Sequence, residues 1–219
     1  VASSARPNRA GMRESWSRID RWLTANTPAT AAQVNPPVTA EEAAALETAI
    51  GRALPEELTQ WLRQANGMDE RAMLLPQSYA PLSVEGVLAC WKICVGIAPG
   101  PDDPDVRDAL GKPAGSGSFH FLDTFVPVGR DIMGYALIVD LRNGPRHGCV
   151  MEWDSVHGAD NPPLWSGVGA MLTDVAEALE HSTPAGAGVM QHYGTPSSGH
   201  VAVITDDGEL GWHEPPGNE

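Results

Sequence analysis

Gly134-Tyr135-Ala136-Leu137-Ile138-Val139-Asp140 is an unbroken apolar run closed by a glycine and an aspartate. Its length suits a strand, and the absence of alternation predicts one with both faces covered. Asn143-Gly144 follows as a turn signal. Gly148 to Asp154 is then the expected antiparallel partner. Side chains alternate across a strand, so Cys149, Met151 and Trp153 share one face and Val150, Glu152 and Asp154 the other. Upstream, Phe119 to Val128 contains alternating aromatics and leads to a turn at Gly129-Arg130-Asp131. The whole segment from Phe119 to Asp154 therefore reads as strand-rich.

Helical spacing surrounds that segment. Trp16, Ile19 and Leu23 predict a short amphipathic helix, and Thr27 to Pro37, with its three prolines, reads as a linker. Thr39 and Glu42 form a capping box, so a helix starts there, turns Leu46, Ala49 and Ile50 inward, and stops at Gly51. Pro55, Glu56 and Glu57 suit the first turn of the next helix, with Leu58, Trp61, Leu62 and Ala65 as its stripe and Asn66-Gly67 as its stop. Leu74 to Leu82 reads as a short extended piece. Ser83 caps a third helix with Val87, Leu88, Trp91 and Val95 on one face. Cys90 and Cys94 lie beside that stripe. Residues 98–118 are rich in Pro, Gly, Asp and Ser and read as a long mobile loop. Ser166 is the expected cap of a last helix, with Val168, Met171, Leu172, Val175 and Leu179 inward and Asp174, Glu177 and Glu180 outside. Val201 to Thr205 and Leu210 to His213 flank Asp207-Gly208 and predict a small hairpin.

Together these elements predict an α+β domain. Three segments are expected: 1–38, an extension with a short helix and Pro-rich linker; 39–181, the main domain; and 182–219, a tail with the hairpin. Met12 is a candidate start, which would leave the first eleven residues as disordered overhang.

Charge and composition narrow the function. Twenty-eight acids face 14 bases, a formal net of −14. Nucleic acid and anionic membrane need basic surface, so neither is an expected partner, whereas a basic protein is. Three cysteines, two of them on one helix, do not form a disulfide framework, and a reducing cytoplasm is the expected setting. No run of about 18 apolar residues offers a membrane span.

Motifs for catalysis are sparse. The sequence has no H-E-x-x-H, G-x-S-x-G or P-loop. Gly115-Ser116-Gly117-Ser118 is glycine-rich without a following helix to bind phosphate. Asp102, Asp103, Asp105 and Asp108 do not follow the EF-hand spacing. The densest donor cluster is His147, Cys149, Glu152, Asp154 and His157, in which His147 and Cys149 share a strand face with Met151 and Trp153, so that face reads as core. No catalytic residue, metal or cofactor is expected; the alternative is an unrecognised hydrolase, for which Glu152 and Asp154 on one strand face are a carboxylate pair, or a metalloprotein with ligands in the 147–157 cluster.

Leu54-Pro55-Glu56-Glu57-Leu58, Trp61-Leu62, Asn66-Gly67, Phe125-Val126-Pro127-Val128, the Gly134–Asp140 strand, Gly148 to Trp153 and the Ser166-led helix occur in an order that resembles the SUKH superfamily. The likeness is to its fungal cell-wall-assembly-regulator branch and covers roughly residues 39–181. The resemblance implies an α+β fold with a mainly antiparallel sheet flanked by helices. It also implies a protein-binding role: bacterial members are similar to immunity proteins that neutralise toxins, often nucleases, and fungal members to regulatory scaffolds. No catalytic residues come with the family. For such a binder the candidate patch is Asp102, Asp103 and Asp105 on the loop, with Asp140, Glu152, Asp154 and Trp165 near the sheet.

Overall fold

The computed structural model describes residues 9–69, 71–189 and 197–215. Its helices are α1 (Arg9–Asn26), α2 (Pro28–Ala31), α3 (Ala40–Ile50), α4 (Glu56–Leu62), α5 (Val84–Ile97), α6 (Pro104–Gly111) and α7 (Val168–His181). Its strands are β1 (Ala80–Pro81), β2 (Phe125–Arg130), β3 (Ala136–Asp140), β4 (Val150–Trp153), β5 (Val201–Ile204) and β6 (Leu210–His213). The first four strands form one antiparallel sheet in the order β1-β2-β3-β4, and β5 pairs with β6. The expected α+β class is the one observed.

All five residues of β3 are buried, as the unbroken apolar run requires. Val126, Leu137, Val139 and Val150 face a core built largely from α1, α3, α4 and α7. Phe125, Ala136, Ile138, Cys149, Met151 and Trp153 face a second core with Cys90 and Cys94 of α5 and Val106 and Ala109 of α6. The sheet is therefore the middle of three layers. Each fully buried aliphatic side chain contributes about 1.5–3 kcal/mol.

Residues 98–118 differ from the expected mobile loop, because they contain α6. Asp103 caps it by accepting from the backbone N–H of Asp105 at 2.9 Å and of Val106 at 3.3 Å, and Pro104 occupies the first turn. The alternating aromatics begin before the strand: β2 starts only at Phe125 and runs through Gly129 and Arg130, so the turn falls at Asp131 to Gly134. The buried stripe of α5 is Val87, Cys90 and Cys94, rotated from the expected one, because the second core lies on the cysteine side. In α3 the stripe is Ala43, Leu46 and Ile50, and Ala49 is exposed. The capping box of Thr39 and Glu42 and the left-handed Gly51 stop are as read.

Both flanking segments join the main core where they are described. Met12, Trp16, Ile19 and Leu23 of α1 are buried, and the Trp16 and Trp61 rings lie 6.4 Å apart at 53°. Arg18 fastens α1 to α7 through Glu177 at 3.2 Å and Glu180 at 2.6 Å. Helix α1 begins at Arg9, so residues 9–11 are helical and not overhang. The linker contains α2, and Thr30 Oγ1 accepts from Leu210 N–H at 2.9 Å. Leu210 and Trp212 of β6 enter the same core, and Trp212 Nε1 donates to Met73 O at 3.0 Å.

Candidate functional site

Four of the seven residues expected at a binding patch are buried and committed internally. Asp140 is fully buried. Its Oδ2 accepts from Arg142 Nη2 at 2.7 Å and from Gly115 N–H at 2.8 Å, and its Oδ1 from Arg142 N–H at 2.9 Å. Arg142 also donates to Ala109 O at 2.8 Å and to Ser116 O, and stacks over Phe125 at 5.2 Å. This pair holds α6 and the 113–118 segment against the end of β3. A buried ion pair with its remaining protons satisfied resists loss of either partner. Asp140 has no surface to offer a partner.

Glu152 sits opposite Leu137 on β4 and accepts from the Tyr79 hydroxyl, where both side chains are buried. Burial, and next the Glu152 charge, hold the Tyr79 phenol far above its ordinary value. Asp154 closes the turn after β4: its Oδ1 accepts from Val156 N–H at 2.6 Å and His157 N–H at 2.8 Å, and its Oδ2 lies 3.3 Å from His157 Nδ1. Trp165 is core, and its Nε1 donates to Asp174 Oδ2 at 2.9 Å. Asp174 also accepts from Gly186 N–H at 2.9 Å, so it is half-buried where an outward residue was expected.

The remaining three, Asp102, Asp103 and Asp105, are together at the start of α6. Asp102 and Asp105 are exposed, as is Asp108 one turn on. Their cations are few: Arg107 lies 3.8 Å from Asp102, and Lys112 2.7 Å from Asp108. The expected donor cluster at 147–157 does not converge. His147 Nδ1 lies 3.1 Å from Arg142 O, Cys149 faces the core, and only Asp154 and His157 meet. The group that does converge among the described residues is Asp103, Asp105 and His120, whose ligand atoms lie within 4.8 Å of one another. Asp103 is already the N-cap of α6, where the helix dipole favours anions and opposes a cation. That arrangement gives a metal reading no support.

Sequence reading missed an apolar surface. Ile93 and Ile97 of α5, Ile132 and Met133 of the β2–β3 turn, and Val156 are all exposed. They line two adjoining depressions of about 740 and 480 Å³ that share Cys90, Ile93 and Arg130. A signal was present in Ile132-Met133, an apolar pair in a turn where polar residues are usual.

The motif with the strongest family flavour is a structural joint. Asn66 Oδ1 accepts from Val84 N–H at 2.7 Å, so the turn after α4 caps the start of α5. Gly67 has φ +65°, and a Cβ there would lie 2.4 Å from Leu82 C. Glu57 reaches the start of α7, which Ser166 does not cap: the N-cap is Gly167, and Glu57 Oε2 accepts from Gly169 N–H at 2.9 Å.

An antiparallel sheet between two helical layers, joined through these corners, defines an α+β domain. The sequence profile of the SMI1 / KNR4 family (SUKH-1) matches residues 37–174, more than half of the chain, and the chain belongs to that family. A comparison with curated proteins finds no match.

Proposed function

We propose that this chain is a non-catalytic binding protein of the immunity type, which neutralises a toxin by gripping it in the cytoplasm. The partner class is a basic domain, a nuclease being the natural example. The observation that carries this reading is the exposed set of Asp102, just before α6, and Asp105 and Asp108 on it, in a chain of net charge −14. Such a face raises the association rate of a basic partner and repels nucleic acid itself. Membership of the SUKH-1 family supports a binding role.

Binding to the product of the gene beside this one is the direct test. A complex is expected whose association slows at least tenfold when Asp102, Asp105 and Asp108 are all changed to Asn, with most of the difference erased by salt. No complex with any neighbouring gene product, together with one formed with a host cell-wall-assembly protein, would move the chain to the regulatory-scaffold class.

A further inference from the structure

We propose that the groove between α5 and the β2–β3 turn is a second docking surface, which takes a segment of a partner protein carrying apolar side chains and a carboxylate. The reading of the chain as a protein binder underlies this inference; the groove itself stands on separate observations.

Of the large apolar side chains exposed on the described residues, most gather here. Ile97 is 73% exposed, Ile132 80%, and Val156 67%. Ile93 and Met133 join them around two depressions that meet at Arg130. Contiguous exposed apolar surface around a concavity marks an interaction site. Burying these side chains is favourable for any apolar ligand, so the chemistry of the occupant is set by charge.

Arg130 is exposed at the junction of the depressions, and Arg71 lines the larger one. Neither guanidinium has an ion-pair partner among the described residues. The neighbouring acids are engaged locally: Asp131 Oδ1 accepts from Met133 and Tyr135 N–H at 2.9 and 2.8 Å, and Asp154 serves Val156 and His157. Asp131 and Asp154 also line the depressions, but with their oxygens turned to backbone N–H groups, so Arg71 and Arg130 present unpaired guanidinium donors beside apolar side chains, which fit a carboxylate flanked by apolar residues. A second copy fits poorly. A two-fold contact centred on this groove would set Arg130 against its own copy and bring two chains of −14 together.

The test uses methyl-labelled full-length protein and three short amidated peptides: one of Leu and Glu, one with Lys in place of Glu, and one with Ser in place of Leu. Saturable shifts confined to the methyls of Ile93, Ile97, Ile132, Met133 and Val156 are expected with the Leu/Glu peptide alone, at a Kd of about 1 mM or tighter. Arg130→Glu is expected to transfer the preference to the Leu/Lys peptide. Ile132→Asp, at a position exposed enough to leave folding intact, is expected to weaken binding about tenfold or more. Shifts scattered elsewhere, equal response to all three peptides, or no response would overturn the groove. So would concentration-dependent dimerisation abolished by Ile132→Asp, which would assign it to self-association. The two proposals fail separately. If a neighbour-gene complex forms but tolerates both substitutions and the peptides do not bind, the groove is wrong and the immunity reading stands. If no such complex forms, the peptides alone decide the groove.

Discussion

Glu57 Oε2 lies 2.9 Å from the backbone nitrogen of Gly169, which makes a residue of α4 the cap of α7 across 112 positions of sequence. Two glycines make room for it. A Cβ on Gly167 would lie 2.6 Å from Glu57 Oε2, and one on Gly169 2.9 Å from Oε1.

Glu57→Ala is therefore expected to cost about 1 kcal/mol through the lost cap, as other carboxylate caps do. Gly169→Ala should destabilise the wild type and, once Glu57 is Ala, stabilise by about 1 kcal/mol through helix propensity. Urea denaturation of the four proteins checks this sign change. The same sign in both backgrounds would show that the carboxylate does not compete with a Cβ.

Removing Asp140 should be severe. Asp140→Ala leaves the Arg142 guanidinium buried without its carboxylate, at an expected cost of about 3–5 kcal/mol. Arg142→Met alone should cost a similar amount, and the double variant clearly less than the sum. Additive losses in denaturant titrations would show that the two charges are not coupled.

Alkaline pH should loosen the sheet. The folded state holds the Tyr79 phenol protonated far above its ordinary value, chiefly through burial. The unfolded chain releases that proton near pH 10, so stability is full below about pH 10 and falls as the pH rises further. Phenolate absorbance followed with circular dichroism checks this. Tyr79 should ionise only as the fold is lost, whereas Tyr79→Phe, which leaves Glu152 without the hydroxyl, should weaken this alkaline dependence.

Acid should act on His200. Burial holds its ring below the ordinary histidine value, and its Nδ1 is buried without a partner. Its backbone pairs with Ala185 in both directions. The unfolded ring takes up a proton from about pH 6.5 downward while the folded one stays neutral, so this contribution is present above that pH and lost as the pH falls toward the folded value. Amide exchange at Ala185 and His200 should accelerate on acidification from pH 7 to 5, and His200→Gln should remove that dependence.

The thiols should react in a fixed order. A hydrogen bond from Cys94 pulls Cys90 down to about 7 against the opposing effect of burial, with Arg130 adding to the pull. Burial pushes Cys149 up to about 11. Native alkylation at pH 8, read by peptide mass mapping, is expected to mark Cys90 before Cys149.

Much of the scaffold was legible. Thr39 and Glu42 announced their helix because a capping box is a local interaction between residues three apart. The strand at Ala136–Asp140 was legible because period and length are local properties. α6 was not, since proline and aspartate are turn residues and helix-starting residues alike. What distinguishes the two is Arg142, which ties the segment to Asp140 from beyond the sheet.

The candidate surface was less legible, and for a related reason. Alternation assigned Glu152 to one face of β4 and Met151 to the other, and both assignments hold. Alternation does not say whether a face is wet. Tyr79 and the first core cover Glu152, and Arg142 and Gly115 enclose Asp140, all brought from distant parts of the chain. Sequence by itself determined most of the elements, the α+β class and the surplus of negative charge. Only the tertiary structure decided which carboxylates face solvent and where isoleucines are left uncovered, because exposure belongs to the packing of remote segments and not to any local spacing.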